Sequence, residues 1–181
     1  MKWLVLLALC STAFAESKKD RALAAKTKTH GPIPVAGTKP VPLINLYNEH
    51  THEWLAVDPQ HLPAESDHFL RDHYTNQSMK MEPKLVPIVV DAAQHFKQDT
   101  VHIVSAFRHP KFNLILRKKG HQVARDSQHT HGNAIDFFLP NVTTQQLHAW
   151  AKAQKIGGVG LYLDSGFVHM DTGPIRFWSG D

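Results

Sequence analysis

A carboxylate stands in the middle of an apolar strand. Residues 134–139, Ala-Ile-Asp-Phe-Phe-Leu, follow a turn that Gly132 permits and read as one β-strand. Side chains alternate along a strand, so Ala134, Asp136 and Phe138 share a face. A carboxylate on that largely apolar face needs a partner, and a metal ion is a natural one. A second strand, Phe167-Val168-His169-Met170-Asp171, repeats the pattern. Here His169 and Asp171 point the same way, about 7 Å apart at Cα. His129 lies in the loop just before the first strand. Two imidazoles and one carboxylate form a ligand set that leaves one position open on zinc, as catalytic sites require. Zinc lowers the pKa of water to about 7 and polarises a carbonyl. A nearby carboxylate can then carry the proton to a leaving amine. Residue types alone leave a second reading equally open, in which His129 and His169 are buried hydrogen-bonded partners of Asp136 or Asp171.

Cysteine usage narrows the ligand chemistry. The only cysteine, Cys10, lies in an N-terminal stretch with Lys2 at its start, an apolar run over residues 3–10 and Ala13-Phe14-Ala15 at its end. Residues 1–15 therefore read as an export signal, too short to span a bilayer. A lipid anchor on Cys10 is disfavoured, because Leu9 precedes it where a small residue is expected. Cleavage after Ala15 leaves a chain with no disulfide and no thiolate, so a soft-metal site must rest on His with Asp or Glu. Fourteen histidines supply the raw material, most of them as bystanders. Residues 16–42 carry Lys18, Lys19, Arg21, Lys26 and Lys28 among Ala, Thr, Gly and Pro, and read as a flexible tether. The net charge of +4 suits work beside an anionic polymer: cell wall, lipid head groups or nucleic acid. The absence of an Arg/Lys stripe interleaved with aromatics sets nucleic acid aside.

The folded part spans residues 43–181. Strands are expected at 43–47 and 53–57 around a polar turn at 48–52. His50 and His52 in that turn read as exposed residues, and Ala56 stands where a HExxH zinc helix needs its second histidine. Helices are expected at 63–74, with Phe69, Leu70 and Tyr74 facing inward, and at 83–96, with Leu85, Ile88, Val89, Ala92 and Phe96 on one face. A strand follows at 101–105, a helical turn at 111–118 and a basic loop at 117–125. A helix at 143–154 opens on a Thr143/Gln146 capping box. Residues 157–160 read as a glycine break before a hairpin of strands 161–163 and 167–171. The sum is an α+β domain: a small antiparallel sheet with helices packed on one side and the metal cleft at the sheet edge.

The spaced residues Ser127, His129, Gly132, Ala134 and Asp136 resemble the Ser-x-His-x-x-Gly-x-Ala-x-Asp signature of the zinc D-Ala-D-Ala metallopeptidase superfamily, whose fold is hedgehog-like. More narrowly, the chain resembles the murein endopeptidase K (YcbK-like) group. The matching pieces are Ser105-Ala106-Phe107-Arg108, residues 113–117, residues 127–136, Gly157-Gly158-Val159-Gly160, and residues 167–173 with Trp178 beyond them. They cover most of 43–178.

The resemblance implies zinc ligands at His129, Asp136 and His169, and Arg108 near a substrate carbonyl or carboxylate. Ser127 would orient the His129 loop. The substrate would be a peptidoglycan stem or cross-link peptide, met outside the cytoplasmic membrane by an exported or periplasmic protein with no stable membrane insertion. One element departs from the pattern: many relatives carry Glu or Asp three residues before the last histidine, and here that residue is Gly166. Asp171 is then the expected proton carrier, with Asp164 as the alternative. His131 is a candidate for substrate binding or proton shuttling. Asp171 is also open to a different role, holding His169 by its other nitrogen. Two rival functions follow from the same residues. One is a zinc-containing cell-wall binding module without hydrolysis; the other is a histidine-rich metal buffer with several weak sites. Whether the bond cut joins two D-centres or an L- and a D-centre is not written in these motifs, nor is the oligomeric state.

Overall fold

The alternation seen in the sequence sorts the strands into two faces. The computed structural model describes residues 43–61, 63, 66–120 and 123–180. The expected export signal at 1–15 and tether at 16–42 lie outside the described residues. Among the described residues there are seven strands: β1 (Ile44–Asn48), β2 (Trp54–Val57), β3 (Thr100–Ser105), β4 (Ala134–Phe138), β5 (Gly158–Tyr162), β6 (Phe167–Asp171) and β7 (Arg176–Gly180). They form one sheet in the order β2-β1-β3-β4-β6-β5-β7. The helices are α1 (Ser66–Phe69), α2 (Leu85–His95), α3 (Pro110–Lys118) and α4 (Thr144–Gln154), with a 3-10 turn at Gln128–His131.

The α+β class is as expected, but the sheet is mixed rather than antiparallel. β1 pairs with β3 and β5 pairs with β7 in parallel, while the other four pairs are antiparallel. The connection from β1 and β2 to β3 passes through α1 and α2, and so returns the chain to the end it started from. Among the described residues no helix is long and apolar enough to cross a membrane.

One face of the sheet makes the core. Ile135 and Phe137 of β4, Val168 and Met170 of β6, and Val101 and Ile103 of β3 pack with Leu85, Val89 and Ala92 of α2 and Leu147 and Ala151 of α4. Each fully buried aliphatic or aromatic side chain contributes roughly 1.5–3 kcal/mol. The alternate residues of β4 and β6 therefore point away from α2 and α4, and Asp136, His169 and Asp171 are among them.

The capping box of α4 forms as expected: Thr143 Oγ1 accepts from the Gln146 amide at 3.2 Å, and the Thr143 amide donates to Gln146 Oε1 at 3.1 Å. Two expectations are corrected. The helix expected over 63–74 is a single turn, α1. The buried Asp72 carboxylate accepts from the Thr75 amide at 2.6 Å and the His109 amide at 2.9 Å, which draws the chain into a turn instead. Phe69 and Leu70 are buried as expected, but Tyr74 lies outside the helix, exposed and stacked on Phe112 at 5.0 Å. The glycine break at 157–160 is also no break, for residues 158–162 are strand β5. A Cβ on Gly160 would sit 2.6 Å from the Trp178 indole, and one on Gly158 would sit 2.5 Å from the Asp171 carboxylate. These glycines make room for side chains from the neighbouring strands.

Candidate metal centre

Strand register gathers the site from distant parts of the chain. Ser105 of β3 pairs with Asp136 of β4, Asp136 with His169 of β6, His169 with Gly160 of β5, and Gly160 with Trp178 of β7. One row thus crosses five strands. His129 enters it from the 3-10 turn, whose position is fixed by the Arg108 amide donating to the His129 carbonyl at 3.1 Å. Gly132 ends that turn in the left-handed region (φ 71°), where a Cβ would meet the Lys80 carbonyl at 2.9 Å. The site therefore lies over the middle of the sheet, on the face opposite α2 and α4, and not at the sheet edge.

His129, Asp136 and His169 are all buried, and one ligand atom from each converges. His129 Nδ1 donates to the Ala106 carbonyl at 2.6 Å, which leaves a lone pair on Nε2. That Nε2 lies 3.2 Å from Asp136 Oδ1 and 3.1 Å from His169 Nδ1, and the last two atoms are 2.8 Å apart. His169 Nε2 donates to Asp171 Oδ2 at 2.9 Å, so its Nδ1 also faces the common point. Ligand atoms at about 2.0–2.1 Å around a tetrahedral zinc lie about 3.3 Å from one another, so the spacing found here needs little adjustment. The donor set fits zinc for a second reason. His129 Nε2 and the Asp136 carboxylate are both acceptors, and only His169 Nδ1 can bring a proton between them.

The electrostatics agree with one shared proton. Burial disfavours the charge on Asp136, but the attraction of the imidazole pair and the bond from His169 Nδ1 outweigh it and hold the carboxyl well below the usual carboxylate range. Burial pushes His129 down. Burial also disfavours a charged His169, yet its bonds to Asp136 and Asp171 prevail and push it up to about 9. His169 therefore holds the proton at neutral pH, and a metal ion must displace it. Zinc uptake is expected to release one proton near pH 7, with an affinity that climbs close to tenfold per pH unit and flattens above about pH 9. Calorimetric titrations in two buffers of different ionisation enthalpy count the proton.

The remaining candidates divide. Arg108 stands at the site, with Nη2 3.9 Å from Asp136 Oδ2 and donating to Ser105 Oγ at 3.3 Å. Ser127 is buried, makes no side-chain cap bond to the turn it precedes, and lines the cleft, whose volume is about 450 Å³. Asp171 does not fit the role of proton carrier, because it lies behind His169 and outside the cleft lining. Its Oδ2 accepts from His169 and from Arg176 Nη2 at 2.7 Å. Its Oδ1 accepts from the amides of Gly158 at 3.0 Å and Gly173 at 2.8 Å and from Arg176 Nη1 at 3.2 Å. Burial opposes its charge, but these bonds hold its carboxyl well below the usual range. His131 does not line the cleft either. It is exposed and pairs with Asp126 at 2.6 Å, and it is Asp126 that lines the wall. Asp164 is exposed and outside the lining. Gly166 sits in the β5–β6 turn at φ 75°, a conformation that favours glycine over a carboxylate residue.

Sequence reasoning missed Arg176, Tyr162 and Trp178 as parts of the site. Trp178 packs at a tilt beside His169, with ring centroids 5.1 Å apart, and its Nε1 donates to Tyr162 Oη at 3.1 Å. The signal was the pair Gly158 and Gly160, two residues apart on one strand, which marks side chains crossing over a sheet.

A family model described as peptidoglycan L,D-endopeptidase MepK matches residues 38–178. The probable peptidoglycan L,D-endopeptidase MepK of Haemophilus influenzae is 34% identical over 116 residues, which is 63% of this chain and 62% of that protein. The peptidoglycan L,D-endopeptidase MepK of Escherichia coli K12 is 31% identical over 158 residues, 81% of this chain and 87% of that protein. No solved structure matches the chain.

Proposed function

The chain belongs to the peptidoglycan L,D-endopeptidase MepK family, and we propose that it is an exported zinc peptidase that hydrolyses the amide between an L- and a D-centre in peptidoglycan peptides. The observation that carries the zinc part is the pair of oriented imidazoles. Ala106 and Asp171 hold the outer nitrogens of His129 and His169, so both inner nitrogens face Asp136 Oδ1. His129 Nε2, Asp136 Oδ1 and His169 Nδ1 would hold the ion. Zinc bound there supplies Lewis acidity, acidifying water to a pKa of about 7 and polarising the scissile carbonyl.

The chain's own residues do the rest. Arg108 presents a fixed guanidinium beside Asp136, suited to an anionic group on the peptide or to charge developing on the carbonyl oxygen. Trp178 and Tyr162 wall the cleft and exclude water from one side. The second carboxylate lining the cleft is Asp126, hydrogen-bonded to His131 at the rim. We assign to that pair the passing of a proton between water and the leaving amine, which would bring His131 into the reaction through its partner. The apolar run and small-residue site within residues 1–15 support export.

The test uses the full chain with two cross-linked muropeptides, one joined through an L,D bond and one through a D,D bond, followed by chromatography and mass spectrometry. Cleavage of the L,D substrate alone is expected, with loss of activity on chelation and recovery on adding zinc. A zinc-loaded chain that retains muropeptides and cuts neither would be a wall-binding module, not an enzyme.

A further inference from the structure

A second cross-strand row runs beside the metal row on the same face, and it is built of aromatic rings. Trp54 of β2 pairs with Tyr47 of β1, Tyr47 with His102 of β3, and His102 with Phe138 of β4. The β4–β6 register carries Phe138 to Phe167, one step beyond the Phe137–Val168 pair, and Phe167 pairs with Tyr162 of β5. Ring centroids are 4.6 Å apart for Trp54–Tyr47, 5.4 Å for Tyr47–His102, 4.6 Å for His102–Phe138 and 4.6 Å for Tyr162–Phe167. Phe138 lies two residues from Asp136 and Phe167 two from His169, so the row lies about 7 Å from the candidate ligands on the same side of the sheet.

We propose that this row is a docking shelf for the glycan strand of peptidoglycan, lying alongside the cleft that receives the peptide. The inference rests on the peptidoglycan reading above. Sugars of such a strand have apolar C–H faces that lie flat on aromatic rings and polar edges that seek hydrogen-bonding groups. The shelf offers both. Its rings are half-buried, apart from Trp54, which keeps 62% of its surface exposed at the outer strand. Polar groups fix the ring edges: Tyr47 Oη with His52 Nδ1 at 2.8 Å, His102 with Glu49, and Tyr162 Oη accepting from Trp178.

Size and continuity favour a polymer over a single small ligand. Five strand spacings of about 4.8 Å make the row roughly 24 Å long. Tyr162 and Phe167 belong both to the row and to the cleft lining, so the shelf opens into the site. An extended peptide of three or four residues spans about 10–14 Å, enough to join a glycan lying on the shelf to an amide in the cleft. Cross-strand packing accounts for neighbouring ring pairs within a sheet, but it gives no reason for an exposed tryptophan at the far end.

The experiment measures co-sedimentation of the full chain with glycan strands stripped of their peptides. It compares the natural sequence with Trp54→Ala and with Ile175→Ala, which removes an exposed apolar residue outside the row. Zinc stoichiometry and melting temperature report that each variant is folded. The natural chain and Ile175→Ala are expected to bind alike, and Trp54→Ala to bind roughly three- to tenfold more weakly. Equal binding by all three, or no retention of the natural chain, overturns the shelf. So does retention by anionic lipid vesicles in place of glycan. Cleavage of a glycan-free L,D-linked peptide is read separately. If that cleavage fails while the glycan is held, the peptidase reading falls and the shelf stands; the opposite result removes the shelf alone.

Discussion

His129→Ala is expected to yield a folded chain that holds no tight zinc and loses peptidase activity by on the order of a thousandfold or more. Three protein ligands are the minimum that leaves zinc one open position, and the row of Asp136 and His169 offers no replacement. The loss should come from the metal and not from unfolding. His129 packs over the sheet face opposite the core, and its removal leaves the Ala106 carbonyl short of one partner, at a cost of about 1–3 kcal/mol. Metal analysis and thermal melting separate the two effects. The natural chain should gain stability with zinc, by about 4 kcal/mol at a thousand times the dissociation constant, and His129→Ala should gain almost none. A variant that melts near the metal-free natural chain yet still cleaves at the natural rate would remove zinc from the reaction. Asp136→Asn should behave in the same way, because an amide keeps the shape of the carboxylate but not the charge that the two imidazoles surround.

How much of this was legible in the sequence depends on the distance over which each feature is decided. Asp136 and His169 were readable because period-two alternation places a side chain on a face without knowledge of the partner strand. The same rule placed Asp171 on that face, correctly, but said nothing of the His169 ring standing between it and the cleft. Trp178 and Arg176 depend on β7 pairing in parallel with β5, and alternation looks the same in parallel and antiparallel strands. The antiparallel sheet expected at the outset failed for that reason at β1–β3 and β5–β7. Gly158 and Gly160 read as a break in the sequence because glycine carries no pattern of its own; their meaning lies in the side chains of Asp171, Arg176 and Trp178 that pass over them. The helix expected through Tyr74 failed locally, where Asp72 offers its carboxylate to backbone amides and outcompetes the next helical turn.

Asp171→Asn provides the sharpest test of how the site is held. Every lone pair of Asp171 faces a donor: His169 Nε2 and Arg176 Nη2 on one oxygen, two amides and Arg176 Nη1 on the other. An asparagine can keep one set. With its oxygen toward the Gly158 and Gly173 amides, its NH2 meets the His169 Nε2–H head on, and the imidazole relieves the clash by giving up that proton and keeping the one on Nδ1. That nitrogen then presents a proton to the metal position instead of a lone pair. Zinc affinity is expected to fall about 10–100-fold, with activity recovering at high zinc concentration. A proton carrier would behave differently: turnover at saturating zinc would collapse while affinity stayed the same, and the acid limb of the pH profile would disappear. Zinc titration followed by kcat at saturating metal tells these apart. A collapsed kcat with natural affinity would move Asp171 from behind His169 into the reaction itself.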